Sequence, residues 1–219
     1  MSHRRAAASL LFLWCSAVAA EVVAIPGELR VGPATAAGIL AWEPKSFVGD
    51  TSYLLDSIED RNAVRADSQA SASALLHEVA IDLTATPLLR WSWKVGNLLH
   101  GIDETTKAGD DYPARVYVLF RGSRWDPRPL SLSYVWSSTQ PRGSAWANAY
   151  TDRVIMVAVR DAHDPVGTWV AEEHNVREDI RRHFGREVNT IEAVAIMTDT
   201  DDSGQQATAW YGDISFAAE

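Results

Sequence analysis

The sequence predicts an all-β protein, a two-sheet antiparallel β-sandwich of jelly-roll type with one short α-helix near residues 175–185. Short apolar stretches recur along the 219 residues with Gly, Pro, Asp and Ser between them, which is the spacing of many short strands. Several of these stretches alternate apolar and polar residues, as a half-buried strand must. Prolines 87, 113, 127, 129, 141 and 165 fall between the stretches, where a residue without an N–H does no harm to a sheet ladder.

Taken in order, strands are expected near Leu29–Val31, Tyr53–Ile58, Ala63–Ser68 and Leu76–Leu83. The clearest one follows. Leu89, Trp91, Trp93 and Val95 share one face, and Arg90, Ser92 and Lys94 the other. In Ala114–Arg121, Val116, Val118 and Phe120 oppose Arg115, Tyr117 and Arg121. In Leu130–Ser137, Leu132, Tyr134 and Trp136 alternate with Ser131 and Ser133. Residues 154–159 are apolar throughout, so this strand should be covered on both faces. Glu192–Thr198, Ala207–Tyr211 and Ile214–Phe216 complete the set. Roughly ten strands in about 200 residues suit a sandwich. The helix is marked by Asn175 as N-cap with Glu178 three residues on, by Val176, Ile180 and Phe184 on one stripe, and by Gly185 at the end. Glu178 and Asp179 in its first turn and Arg181, Arg182 and His183 in its last complement the macrodipole.

The first 20 residues stand apart. Arg4 and Arg5 precede an uncharged apolar stretch that ends in Ala17-Val18-Ala19-Ala20, the pattern of a secretory signal peptide. It is shorter than the ~20 apolar residues a bilayer span requires. The expectation is cleavage after Ala19 or Ala20, a single sandwich domain over residues 21–219, no transmembrane anchor after cleavage, and a periplasmic or secreted location. Seventeen Arg against three Lys suggest a GC-rich genome, hence a Gram-negative bacterium. Removing residues 1–20 takes away Arg4, Arg5 and the single cysteine, Cys15, so that 18 basic and 29 acidic residues leave a charge of 18 − 29 = −11. That charge argues against nucleic acid as partner. The absence of thiols excludes cysteine chemistry and leaves stability to the core.

Trp42-Glu43-Pro44-Lys45-Ser46-Phe47 with Gly49, Thr51 and Tyr53, the stretch Arg65-Ala66-Asp67-Ser68, Pro87–Val95, Asp110-Asp111-Tyr112-Pro113-Ala114-Arg115, Tyr134-Val135-Trp136, and Thr198-Asp199-Thr200-Asp201-Asp202-Ser203-Gly204 leading to Tyr211-Gly212-Asp213-Ile214 follow one another in an order that resembles the exported bacterial domain of unknown function family 3047. The resemblance runs from about residue 40 to the C-terminus and implies no activity. The closing hairpin is similar to that of galactose-binding-type jelly rolls, many of them carbohydrate-binding modules. That similarity implies architecture before function.

Three groups of residues carry candidate chemistry. Asp199, Asp201 and Ser203 supply oxygens at positions 1, 3 and 5 of a turn with Gly204 at 6, the front half of a Ca²⁺ loop. Position 12 is Trp210, so a structural Ca²⁺ needs a remote ligand, for which Asp213 is the candidate; the alternative is a plain acidic turn. Eight tryptophans lie beyond residue 20. Trp91, Trp93 and Trp136 share faces with aliphatic residues and are expected in the core, whereas Trp125 and Trp146 sit in loop sequences and are candidate platforms for a sugar ring. Arg90, Lys94, Arg115 and Tyr117 stand on polar strand faces; on adjacent strands they would line a groove for a saccharide or other small polar ligand. Asp103-Glu104 and Asp110-Asp111 are paired carboxylates of the kind glycosidic hydrolysis uses, but hydrolase, protease and phosphate-loop motifs are absent. The reading is an exported binding module for a carbohydrate or related polar ligand. A polysaccharide-active enzyme on the same scaffold and an envelope structural or interaction protein are the alternatives.

Overall fold

The computed structural model describes residues 24–25, 28–30, 38, 42–122 and 128–219, with residues 24–25 and 28–30 described by backbone alone. The signal-type segment and Trp125 lie outside the described residues. Among the described residues fourteen strands form two sheets. In the first sheet the long strand β14 (Gln206–Ala217) is central. Along one flank it pairs with β5 (Arg61–Gln69) and, further on, with β2 (Glu28–Arg30). Along the other it pairs with β7 (Leu88–Val95). β4 (Ser52–Ile58), β12 (Val170–Asn175) and β1 (Ala24–Ile25) extend the sheet outward from β5, β7 and β2. The second sheet runs β10 (Ala145–Asn148), β11 (Thr151–Arg160), β9 (Pro129–Trp136), β8 (Ala114–Arg121), β13 (Thr190–Asp199), β6 (Ala72–Asp82), β3 (Glu43–Val48). Its pairs are antiparallel except β9–β11, which is parallel.

The core lies where the inner faces meet. Trp91, Trp93, Val116, Phe120, Tyr134 and Trp136 are buried there. Trp93 packs edge-on to Trp91 at 5.3 Å and meets Trp136 of the opposite sheet at 5.9 Å. The expected phases of β7, β8 and β9 hold. Helix α1 (Val176–Phe184) has its expected caps: Asn175 accepts from the Glu178 N–H at 3.0 Å, and Gly185 ends the helix at φ 63°. Val176 and Ile180 are buried, and Phe184 packs against Phe120. The helix covers one edge of the core.

Two expectations are corrected. β7 belongs to the first sheet, whereas β8 and β9 belong to the second, so Arg90 and Lys94 share no groove with Arg115 and Tyr117. The outer face of the second sheet is also not a wet polar surface. Arg115, Tyr117, Ser131 and Ser133 are all buried there, beside a second apolar cluster that includes Leu119, Met156 and Met197.

Candidate functional site

The sequence that positions the site is the β7–β8 connection. Asp103 turns the chain by accepting from Thr105 through both N–H (3.0 Å) and hydroxyl (2.6 Å). Gly109, in the 3-10 turn Lys107–Gly109, then packs directly on that corner: a Cβ there would lie 2.5 Å from the Asp103 carbonyl oxygen. Below it Glu104 is fully buried, accepting from the Ser138 N–H at 2.6 Å and from the Ser137 hydroxyl, and burial pushes its carboxyl pKa up. The loop so held delivers Asp110, Asp111 and Tyr112 to the β13–β14 turn. Asp111 grips that turn, accepting from the N–H groups of Asp202 (3.2 Å) and Ser203 (2.6 Å). Gly204 closes it at φ 68°, a left-handed conformation that favours glycine.

Arg115 lies at the floor, 2% exposed. Its Nε donates to Asp199 Oδ1 at 2.7 Å and its second terminal nitrogen to Asp199 Oδ2. It also donates to the Tyr117 hydroxyl (2.9 Å) and the Asp110 carbonyl (2.7 Å), and its guanidinium stacks 4.2 Å from the Tyr112 ring centroid. A bidentate pair with its remaining donors satisfied is the arrangement that makes a buried charge tolerable. Above Arg115 opens a cavity of about 50 Å³. Phe47, Met197 and Tyr117 line it together with the acids Asp110, Asp201 and Asp202. Tyr150 donates to Asp202 Oδ1 at 2.6 Å, and Asn148 donates to Asp110 Oδ2 at 2.6 Å. Burial, then the charges of Asp202 and Asp111, push the Asp201 pKa up to about 6. Burial likewise raises that of Asp110, against the pull of Arg115 and Asn148.

The structure therefore brings together Arg115, Tyr117, Asp199 and Asp201, which the sequence nominated in two separate groups. Asp199 is engaged by Arg115. Ser203 meets Asp111 through its backbone, while its hydroxyl faces the Gln205 N–H at 3.4 Å. Asp213 does not join them. It lies in an open groove of the first sheet with Arg90 and Glu173, seven residues along β14 from its start, or roughly 23 Å at ~3.3 Å per residue. Arg90 pairs with Glu173 at 2.6 Å and Lys94 with Glu59 at 2.6 Å, both on the first sheet. Lys94 also sits 5.5 Å from the Trp210 ring centroid. Trp146, on the edge strand β10, stacks on Tyr112 at 6.4 Å, one ring removed from Arg115. The paired acids diverge: Asp103 serves an exposed turn, Glu104 is sealed in, Asp110 faces the cavity and Asp111 the turn backbone.

Sequence reasoning missed Phe47, Asn148, Tyr150 and Asp202. The acid next to Asp201 was a visible signal. The other three come from an edge strand and the β10–β11 hairpin, where no pattern points inward.

Fold and site together define a jelly-roll sandwich with a polar, acid-lined pocket on the outer face of one sheet. The chain belongs to the family described as protein of unknown function DUF3047, whose model matches residues 40–215. No curated protein matches it by sequence. Among solved structures it is similar to the family 30 carbohydrate-binding module of the cellulosomal cellulase Cel9D-Cel44B of Clostridium thermocellum, with TM-score 0.51, 10% identity, and coverage of 88% of this chain and 98% of that one. It also matches a family 11 carbohydrate-binding module from Clostridium thermocellum, solved with a mixed-linked tetrasaccharide (TM-score 0.48, 10% identity, 88% and 96% coverage). A third match is the endoglucanase Cel12A from Rhodothermus marinus (TM-score 0.42, 12% identity, 88% and 98% coverage). Among the described residues no helix is long and apolar enough to cross a membrane.

Proposed function

We propose that this chain is an exported carbohydrate-binding module whose ligand docks over the Arg115 pocket. One observation carries the reading. Tyr117, Tyr150, Asp110, Asp201 and Asp202 line one small cavity together with Phe47 and Met197, so side chains bearing hydroxyls and carboxylates stand beside apolar ones. A sugar presents hydroxyls in fixed directions and apolar C–H faces between them, and such a ligand needs precisely placed acceptors beside apolar walls. At about 50 Å³ the cavity admits a few water-sized groups, so hydroxyls enter it while the ring lies across its mouth. The shared fold with a carbohydrate-binding module and the signal-type segment at residues 1–20 support the reading. Trp125 stays a candidate platform by sequence. Arg90 and Lys94, on the opposite sheet, take no part in this pocket.

The test is a glycan array followed by calorimetry on the mature chain, with Tyr150→Ala and Tyr117→Phe beside it. Saturable binding to a saccharide class is expected, weakened about tenfold in Tyr150→Ala, equivalent to about 1.4 kcal/mol. No saccharide on the array binding above background would sink the reading.

A second reading, hydrolysis at the same pocket, is favoured by Asp110, which is buried, faces the cavity and has a raised pKa as a general acid requires. Reducing-sugar release from the saccharides that bind, lost in Asp110→Asn, separates the two.

A further inference from the structure

We propose that Asp111, Asp201 and Asp202, with Asp110 beside them, form a divalent-cation site at the rim of the pocket, with Ca²⁺ as the ion it takes. Each of the first three offers a carboxylate oxygen, and these oxygens lie within 4.8 Å of one another. Oxygens around one Ca²⁺ at about 2.3–2.6 Å can be no more than about 4.6–5.2 Å apart. Oxygens no further apart than 4.8 Å can share one divalent ion, and an all-oxygen set of flexible carboxylates suits Ca²⁺, which does not demand the near-ideal octahedron that Mg²⁺ does.

Asp110 is the independent observation. It is 6% exposed and lines the same cavity as Asp201 and Asp202. Its Oδ2 accepts from Asn148, but its Oδ1 is buried with no hydrogen-bond partner among the described residues. A buried carboxylate oxygen without a partner is destabilising, because it has given up water and gained no donor in its place. A cation held at the rim by Asp111, Asp201 and Asp202 satisfies it through one bridging water. Arg115 does not, because it is committed to Asp199, to the Asp110 carbonyl and to Tyr117.

The hydrogen bonds that Asp111 accepts from the Asp202 and Ser203 N–H groups leave each of its oxygens a second lone pair, and they fix the carboxylate's direction as a second coordination shell does. An ion here joins the loop carrying Asp110 and Asp111 to the β13–β14 turn carrying Asp201 and Asp202. This ligand set replaces the one read from sequence spacing: Asp199 is taken by Arg115, Ser203 contributes its backbone, and Asp213 is remote.

Binding is measured on the chelator-stripped mature chain without saccharide, so the result stands apart from the carbohydrate reading. Calorimetry with CaCl₂ and with MgCl₂ is paired with Tb³⁺ luminescence excited through tyrosine, since the Tyr150 hydroxyl touches Asp202. Saturable Ca²⁺ binding is expected at one site, with Mg²⁺ at least tenfold weaker and a Ca²⁺-dependent rise in Tm. Asp201→Asn and Asp202→Asn should each weaken Ca²⁺ at least tenfold, and Asp213→Asn should leave it unchanged. Circular dichroism confirms that the variants are folded. Absence of saturable binding to the unsubstituted chain overturns the proposal, as does binding that survives in both pocket variants or disappears in Asp213→Asn. Mg²⁺ binding as tight as Ca²⁺ overturns the assignment of the ion.

Discussion

Asp179 shows how a single carboxylate is made to serve a fold. It sits in the first turn of α1 and is buried. The Tyr134 hydroxyl donates to its Oδ2 at 3.0 Å, His174 Nδ1 lies 3.2 Å from the same oxygen, and Arg182 donates to Oδ1 at 3.1 Å. Burial opposes its ionisation, but the bonds from His174 and Tyr134 and the nearby charges outweigh that, and its pKa is lowered. The sign follows by linkage. A carboxyl whose native pKa lies below its unfolded value adds stability above the ordinary range near ~4, and that stability is lost as pH falls through the native value. Asp179→Asn should therefore lose on the order of 2 kcal/mol at neutral pH. Urea titrations at pH 5 and pH 3 should show the gap to the unsubstituted protein narrowing at the lower pH. A gap that widens instead would mean that the ionised form is not the stabilising one. His174 is accounted for by this contact and by its ring lying tilted against that of Tyr134 at 4.8 Å.

At the scale of elements, the Asp103–Pro113 loop is the part on which the site depends, and Gly109 is where it can be broken. An added Cβ meets backbone atoms of Asp103 at 2.5–2.8 Å, which no rotamer change relieves. Gly109→Ala should cost about 1–3 kcal/mol as overpacking and weaken ligand binding at the pocket, because Asp110 and Asp111 shift with the loop. Thermal denaturation alongside calorimetry checks it, and a variant with unchanged Tm would show that the loop yields. Elements were legible where their signals are local. Helix α1 carries its own caps, and β7, β8 and β9 alternate cleanly. β12 was hidden because its inward positions include Glu172 and His174, and Glu172 is tolerated inside only through Arg160 and Trp93. β3 carries Pro44 and mixed polarity, which its edge position permits. β14 read as two strands because Gly212 and Asp213 form an irregularity between Tyr211 and Ile214. The site was half legible. Periodicity isolates Arg115 and Tyr117, and turn spacing isolates Asp199 and Asp201. Their meeting depends on β8 lying beside β13, a non-local pairing that no short pattern encodes.

The whole molecule is held without a disulfide, since the one cysteine is Cys15, so the join between the sheets must come from packing and from a few buried polar ties. Trp93 is at the centre of both. It reaches Trp136 across the core, and its Nε1 donates to Glu172 Oε1 at 3.1 Å. Arg160 of the second sheet donates to the same Oε1 at 2.5 Å and to Oε2 at 3.1 Å, so one carboxylate links two strands of the first sheet to β11 of the second. Trp93→Ala should cost about 3–5 kcal/mol through lost apolar contact and the cavity left behind, a large share of the ~5–15 kcal/mol typical of a domain. Trp93→Phe keeps most of the ring volume and leaves Glu172 paired with Arg160, so its cost should be about 1–2 kcal/mol; both variants lose the Nε1 hydrogen bond, so the difference between them measures packing. Urea unfolding followed by far-UV circular dichroism and by tryptophan fluorescence decides both magnitude and cooperativity. Coincident transitions are expected in all three proteins, because a core shared by both sheets cannot open on one side alone. Separate transitions in the unsubstituted chain would show that the two sheets are not one cooperative unit and that Trp93 stabilises only its own.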